Sequence, residues 1–293
     1  MPLEPEGFDP DLVARMTRNE ADMAFRKRVQ TVFDWVRPTD DMRILDFPCG
    51  RGFYLNMLRH VSACSLVGAD IDAGVLAKAQ RNLAQHPDIV LTRADIQRMP
   101  FPAEVFDAVI LSEGLEHLED DAAALREAYR VLKPGGVLAV TVPHADYPFL
   151  WDPVNKTLEA LFGTHVQSGP FAGIWANHLR LYRREPLRAL VTDAGFRVEA
   201  ERAFTHDCFP FIHNLVYGLG MPLFESGLLP RRWARAADRL AFAEEPGSAF
   251  NPVRWAIGVL NRFDRGNLMD EPPGRSTVNL AVKARKPAAG THA

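Results

Sequence analysis

Asp46, Gly50 and Gly52 stand in the run Ile44-Leu-Asp-Phe-Pro-Cys-Gly-Arg-Gly52, where a short apolar stretch gives way to a turn. Small residues there let backbone approach a ligand, and the amide groups of a following helix can face an anionic or polar group. Eighteen residues after Gly52, a second apolar stretch ends in Gly68-Ala-Asp70. A carboxylate at that place can accept both hydroxyls of a ribose lying across the first turn. This is chemistry for holding a nucleoside-bearing ligand, and nicotinamide-binding domains share it. Further along, His144 follows an apolar stretch in Thr141-Val-Pro-His-Ala-Asp-Tyr147. An imidazole with an ordinary pKa of about 6.5 suits proton abstraction there.

These residues need a scaffold that delivers them to one place. Positions 9–36 carry apolar residues at helical spacing, and Pro38 stops the pattern. Short apolar runs then follow at Met42–Phe47, Ser65–Ala69, Ile89–Thr92, Phe106–Leu111 and Val137–Val142, with an alanine- and leucine-rich helix expected from about Ala73 to Gln85. Strands alternating with helices at this spacing imply right-handed crossovers and a parallel sheet, an α/β fold. Lys133-Pro-Gly-Gly136 reads as a helix stop and tight turn feeding the strand Val137–Val142. A helix near Glu185–Asp193 and a strand Phe196–Ala203 follow. Thr277–Arg285 alternates Val278, Leu280 and Val282 with other residues, as a half-solvated edge strand would. Between these last two strands, Thr205–Arg275 is far too long for a hairpin and is expected to be a helical insertion, a lid or subdomain. The expected organisation is an N-terminal helical segment 1–37, a Rossmann-like domain 38–204 plus 276–287, and the insertion 205–275.

Composition narrows the function. Apolar residues at 47% and charged residues at 24% are ordinary globular values, which exclude wholesale disorder and coiled coil. The net charge of −3 divides into −6 for residues 1–200 and +3 for the remainder, so no global field draws the chain onto nucleic acid. Cys49, Cys64 and Cys208 are too few for a disulfide framework and suit a reducing compartment. No secretory signal is visible at the start, and the most apolar stretch, Phe209 to Phe224, is shorter than the roughly 20 residues of a bilayer span. A cytoplasmic protein is expected, and no metal-ligand spacing stands out.

Four motifs in order add a family likeness. Beyond the glycine turn and Asp70, the chain has Ala94-Asp95, Met99-Pro-Phe-Pro102, Val105-Phe-Asp-Ala-Val-Ile110 and Leu125-Arg-Glu-Ala-Tyr-Arg-Val-Leu-Lys-Pro-Gly-Gly136. Over about residues 40–200 this resembles the class I S-adenosylmethionine-dependent methyltransferases, in the small-molecule and lipid branch that includes ubiquinone and menaquinone methyltransferases. The resemblance implies a doubly wound, seven-stranded, mostly parallel sheet of order 3-2-1-4-5-7-6 with the last strand antiparallel. It implies S-adenosyl-L-methionine as cofactor, with Asp46, Gly50 and Gly52 on its methionine-and-ribose side and Asp70 on the ribose hydroxyls. Ile71 would then flank the adenine, Asp95 would accept from the adenine amino group with Ile96 packed beside the ring, and Ser112 and Glu113 would border the methionine moiety. One position departs from the family: its first loop glycine is here Pro48, which fixes φ near about −65° and removes a donor. The family's histidine position after the fourth strand is His117, expected to serve packing or cofactor contact.

The acceptor expected from the same resemblance is a hydrophobic small molecule of lipid or secondary-metabolite biosynthesis, methylated on oxygen or carbon, with His144 as base where a proton must leave. The aromatic run Pro148–Pro153, with Phe162, Phe171, Ile174 and Trp175, and the apolar part of the insertion supply surface for it. Arg231, Arg232, Arg235 and Arg239 around Trp233 and Leu240 read as a basic amphipathic helix, consistent with peripheral contact with an anionic membrane. Two other readings share parts of the pattern: an NAD-dependent oxidoreductase, which leaves Asp95 and the Lys133-Pro-Gly-Gly136 turn unexplained, and a methyltransferase-like binding scaffold without catalysis, suggested by Pro48.

Overall fold

The computed structural model describes residues 9–169, 171–220, 223, 226, 228, 230, 233, 239–240 and 250–288. Its centre is a seven-stranded sheet of order β3-β2-β1-β4-β5-β7-β6. The strands are β1 (Arg43–Asp46), β2 (Ser65–Asp70), β3 (Val90–Arg93), β4 (Phe106–Ser112), β5 (Leu132–Pro143), β6 (Arg197–Phe204) and β7 (Asn279–Arg285). β1 to β5 pair in parallel, and β7 runs antiparallel to both β5 and β6.

Apolar residues on both faces explain why the central strands read as continuous hydrophobic runs. On one face α2 (Met23–Val36) and α3 (Phe53–Val61) set Val29, Val32, Phe33, Leu55 and Leu58 against Ile44, Leu66, Ala108 and Ile110. On the other, α5 (Asp121–Val131) and α7 (Arg184–Asp193) set Leu125, Ala128, Leu187 and Val191 against Leu45, Val109, Leu138 and Val140. The helix α4 (Ala73–Asn82) starts on Asp72, whose side chain accepts from the Gly74 and Val75 amides.

The helical pattern over 9–36 is broken in two. α1 (Pro10–Met16) ends at Thr17, and α2 begins afresh because the Asp22 carboxylate accepts from the Ala24 and Phe25 amides, a capping geometry that stops any helix continuing through it. Arg37, in the left-handed region at φ 46° before Pro38, ends α2. Two strand expectations are also corrected. Thr277–Arg285 is no edge: β7 lies inside the sheet between β5 and β6, with Leu280 and Val282 packed into one core and Ala281 into the other, so both faces are covered and β6 takes the edge. Lys133-Pro-Gly-Gly136 does not precede its strand but lies inside β5, where pairing with β4 shifts register between Phe106 and Ala108 and Gly135 sits at φ 82°.

A third apolar cluster joins Met23 and Ala24 of α2 to Tyr147, Trp151, Ile174, Cys208, Ile212 and Val278. It draws together the start of α2, the segment after β5, in which α6 (Pro153–Phe162) lies, and the start of the long insertion. A π-helical turn, Asn214–Gly220, and the helix α8 (Pro252–Phe263) follow in that insertion.

Candidate active site

Parallel pairing of β3, β2, β1, β4 and β5 brings Asp95, Asp70, Asp46, Ser112 and His144 to the carboxyl edge of the sheet. Asp46 closes β1 with its side chain wholly enclosed, and neither carboxylate oxygen has a hydrogen-bond partner. Burial, and then the neighbouring Asp70, push its pKa well above the ordinary carboxylate range. Such a group is costly unless something else completes it.

The loop after Asp46 supplies the space. Gly50 and Gly52 sit at φ 52° and 81°, a region that disfavours side chains. A Cβ on Gly50 would point into open space, whereas one on Gly52 would come within 2.8 Å of Leu83. Pro48, joined to Phe47 by a cis peptide bond, packs its ring where a side chain on Gly114 would stand. The turn therefore forms with proline in place of the family's first glycine. It is anchored by the Cys49 amide donating to Ala69 at 2.8 Å and the Gly50 amide donating to Asp70 Oδ2 at 3.0 Å. The other Asp70 oxygen accepts from the Asp72 amide at 3.0 Å, so Asp72 rather than Asp70 caps α4.

On the adenine side, Ile71 is exposed and Ile96 is buried, the arrangement of one open and one closed apolar wall. Asp95 is exposed, and its Oδ1 accepts from the Gln97 amide at 2.9 Å. Ser112 Oγ lies 3.2 Å from Tyr54 Oη and 2.8 Å from Thr141 Oγ1. Thr141 in turn donates to Glu113, which also accepts from Asn279 Nδ2 at 3.2 Å and pairs with Arg28 of α2 at 2.7 Å. Tyr54, Arg28 and Asn279 carry no motif in the sequence. They reach the site because α2, α3 and β7 pack beside β4 and β5, which no local spacing announces.

His144 is where the sequence placed it, just past β5, but it is not the free imidazole expected there. It is 8% exposed, its Nδ1 lies 2.9 Å from Thr277 Oγ1, and burial pushes its pKa down to about 4. It is neutral at pH 7 and a weak proton acceptor. Arg239 is likewise no free surface cation: it pairs with Glu20 at 2.6 Å and lies over the Phe25 ring. Arg231, Arg232 and Arg235 of the expected basic helix, with Met221, Pro222 and Phe224, lie outside the described residues.

Three residues past Glu113, Glu116 is wholly buried with both carboxylate oxygens unpartnered, and burial followed by the charge of Glu113 raises its pKa. His117 Nε2 and His178 Nε2 face Glu116 Oε1 at 3.9 and 4.0 Å. Burial and then His117 push the His178 pKa down to about 4. His178, 61 residues beyond His117, could not be ranked from spacing.

S-adenosylmethionine fits the β1–β2 end of this edge. Its ammonium and sulfonium charges are what the unpartnered Asp46 carboxylate lacks, the open side of Gly50 leaves room for its chain, and each Asp70 oxygen, bonded to one backbone amide, keeps a further lone pair for a hydroxyl. When bound, it supplies an electrophilic methyl on a sulfonium. Asp46 and the loop would hold its methionine end, and the protein's part would be to align the methyl with an acceptor.

Comparison with known proteins points the same way. A family model described as "Methyltransferase domain" matches residues 45–140. Demethylmenaquinone methyltransferase of Thermus thermophilus is 31% identical over 206 residues, covering 65% of this chain and 89% of that protein. The ubiquinone/menaquinone biosynthesis C-methyltransferase of Geobacter sulfurreducens is 27% identical over 205 residues, covering 66% and 78%. Among solved structures, methyltransferases of Bacillus halodurans and Thermotoga maritima superpose with a TM-score of 0.52 each. Both are 17% identical, and they cover 88% and 94% of this chain and 98% and 95% of their own. At that identity the two structures speak to the fold.

Proposed function

We propose, from the premise that this chain belongs to the class I S-adenosylmethionine-dependent methyltransferases of the ubiquinone/menaquinone type, that it methylates a hydrophobic acceptor reached from an anionic membrane surface. Membership in that enzyme family displaces the oxidoreductase and scaffold readings. The acceptor class proposed is a hydroquinone-like ring on an apolar tail, methylated on carbon or oxygen, by analogy with what the relatives' names state.

The observation that carries the membrane part is α8. Trp255, Val259 and Phe263, spaced four apart, are 68%, 51% and 40% exposed on one stripe, while Ile257 is buried on the opposite side. Phe250 beside them is 92% exposed. Positions 251–263 hold Arg254 and Arg262 and no carboxylate. An exposed apolar stripe flanked by cations is the pattern of a helix lying in a bilayer interface. It adjoins the third cluster, because the Phe263 and Phe209 rings lie 5.3 Å apart. Among the described residues no helix is long and apolar enough to cross a membrane.

Two measurements test the reading. Vesicles containing phosphatidylglycerol should sediment the protein at low salt and release it at high salt, each arginine near the surface adding about 1 kcal/mol. Trp255→Ala with Val259→Ala should abolish sedimentation. Transfer of labelled methyl should favour a polyprenylated hydroquinone over its tail-less analogue. Equal binding to neutral and anionic vesicles, or equal rates with both acceptors, would refute the membrane-acceptor reading and leave the family's chemistry untouched.

A further inference from the structure

We infer that Glu116, His117 and His178 form a binding site for a divalent cation just beyond β4. One oxygen of Glu116 and one ring nitrogen of each histidine lie within 4.8 Å of one another. Ions bound by imidazole and carboxylate take bonds of about 2.0–2.2 Å, which hold neighbouring ligand atoms about 3.0–3.4 Å apart. The two Glu116–histidine pairs, at 3.9 and 4.0 Å, therefore need to close by an ångström or less, and the two ring nitrogens, within 4.8 Å of each other, by less than two.

Three observations favour an ion over a packing accident. Glu116 is fully enclosed and both its oxygens lack any hydrogen-bond partner, although the surrounding protein completes other buried carboxylates such as Asp152. Second, the other nitrogen of His117 lies 2.9 Å from the Asn177 carbonyl. Donation to that carbonyl fixes the tautomer and turns the Nε2 lone pair toward Glu116, the support that metal-ligating histidines ordinarily have. Third, access is one-sided: Glu116 is closed off while the His117 side chain is 42% exposed. An ion held there would be reached from the His117 side.

The donor set decides the class of ion. Two imidazoles and one carboxylate favour borderline first-row cations such as Zn²⁺, Co²⁺ or Fe²⁺ over Ca²⁺ or Mg²⁺, which take all-oxygen sites. Three protein ligands with open positions match a site that accepts a further oxygen donor rather than a closed structural centre. The site rests on residues of this chain alone and does not depend on the identity of the methyl acceptor. It departs from the expectation of no metal, which rested on local spacing that could not bring His178 beside His117.

The test uses the full chain, stripped with chelator and titrated at pH 7.5 with Zn²⁺ by calorimetry and with Co²⁺ by visible absorption. One equivalent should bind, with a histidine-ligated Co²⁺ spectrum. Glu116→Gln and His178→Ala should each weaken binding by about 100-fold or more, with far-ultraviolet dichroism and S-adenosylhomocysteine affinity unchanged. His60→Ala, which alters the His60–His86 pair instead, should leave the titration intact. Full retention of binding in Glu116→Gln, or loss in His60→Ala, overturns the assignment. Should the variants fail to fold, the wild type still decides: no binding tighter than about 100 μM overturns it.

Discussion

Asp46 and Asp152 are both wholly buried, yet the protein treats them in opposite ways. Asp152, at the head of α6, accepts from the Asn155 amide at 3.1 Å, Asn155 Nδ2 at 2.7 Å and the Ile174 amide at 3.0 Å. Those bonds tie the segment after β5 to the turn at Gly173–Trp175, so the carboxylate is spent inside the fold. Asp46 has no such partner, and burial, followed by the charge of Asp70, raises its pKa. The same contrast separates the two halves of the site edge. On the insertion side, Lys27 and Arg26 of α2 hold Asp264, and Asn267 closes onto Asp264 and the Asp207 carbonyl. A buried acid that its own protein leaves incomplete marks where a ligand belongs, and an acid fully bonded marks where the chain holds itself together.

Exchanging the two acids should separate these roles. Asp152→Ala strands two buried backbone amides and should cost about 3 kcal/mol or more of stability, seen in urea unfolding. S-adenosylhomocysteine affinity of the folded fraction should stay unchanged. Asp46→Asn should do the reverse. It should lower that affinity by about 10- to 100-fold, because a charged acceptor for the ligand's ammonium is lost. The folded pKa of Asp46 lies above its unfolded value, so the native state gives up stability as pH rises past the ordinary carboxylate range. Replacing it with a neutral isostere should therefore raise the stability of the ligand-free protein at pH 8. A loss of stability in Asp46→Asn, with affinity unchanged, would place Asp46 among the structural acids and erase the contrast.

The same contrast marks what the sequence could show. Asp46, Gly50, Gly52, Asp70, Asp95 and Ser112 are legible because each sits within a few residues of a strand end, and parallel pairing carries strand ends to one edge whatever the helices do. Strand order and the antiparallel β7 came with the family likeness, while the burial of β7 did not, since its alternation looks the same on an edge as between two strands. Beyond β4 the partners come from far away: Arg28 to Glu113, Asn279 to Glu113, Thr277 to His144, His178 to Glu116. Such pairs depend on how α2, β7 and the segment after β5 pack in three dimensions. Asp152 shows the limit well, because its neighbours in sequence suggest only a helix cap and nothing reveals that Ile174 will need it.

His144 offers a smaller and finer division between holding and reacting. Its Nδ1 lies against Thr277 and its backbone amide donates to Val278, so it joins β5 to the start of β7. Its folded pKa of about 4 lies below the value of about 6.5 expected when unfolded. Between those values the unfolded chain takes up a proton that the folded chain refuses. Stability is therefore lost as pH falls from about 6.5 to about 4, by up to about 3 kcal/mol from this residue alone. His144→Gln removes the proton and should flatten that part of the stability profile relative to wild type, measured by urea unfolding at pH 7, 5.5 and 4.5. In the wild type, kcat/KM should show no inflection near pH 6.5 that vanishes in His144→Gln, since the imidazole is neutral throughout that range. An inflection there that the substitution removes would return His144 to the reacting groups, with an ordinary pKa and a proton to take.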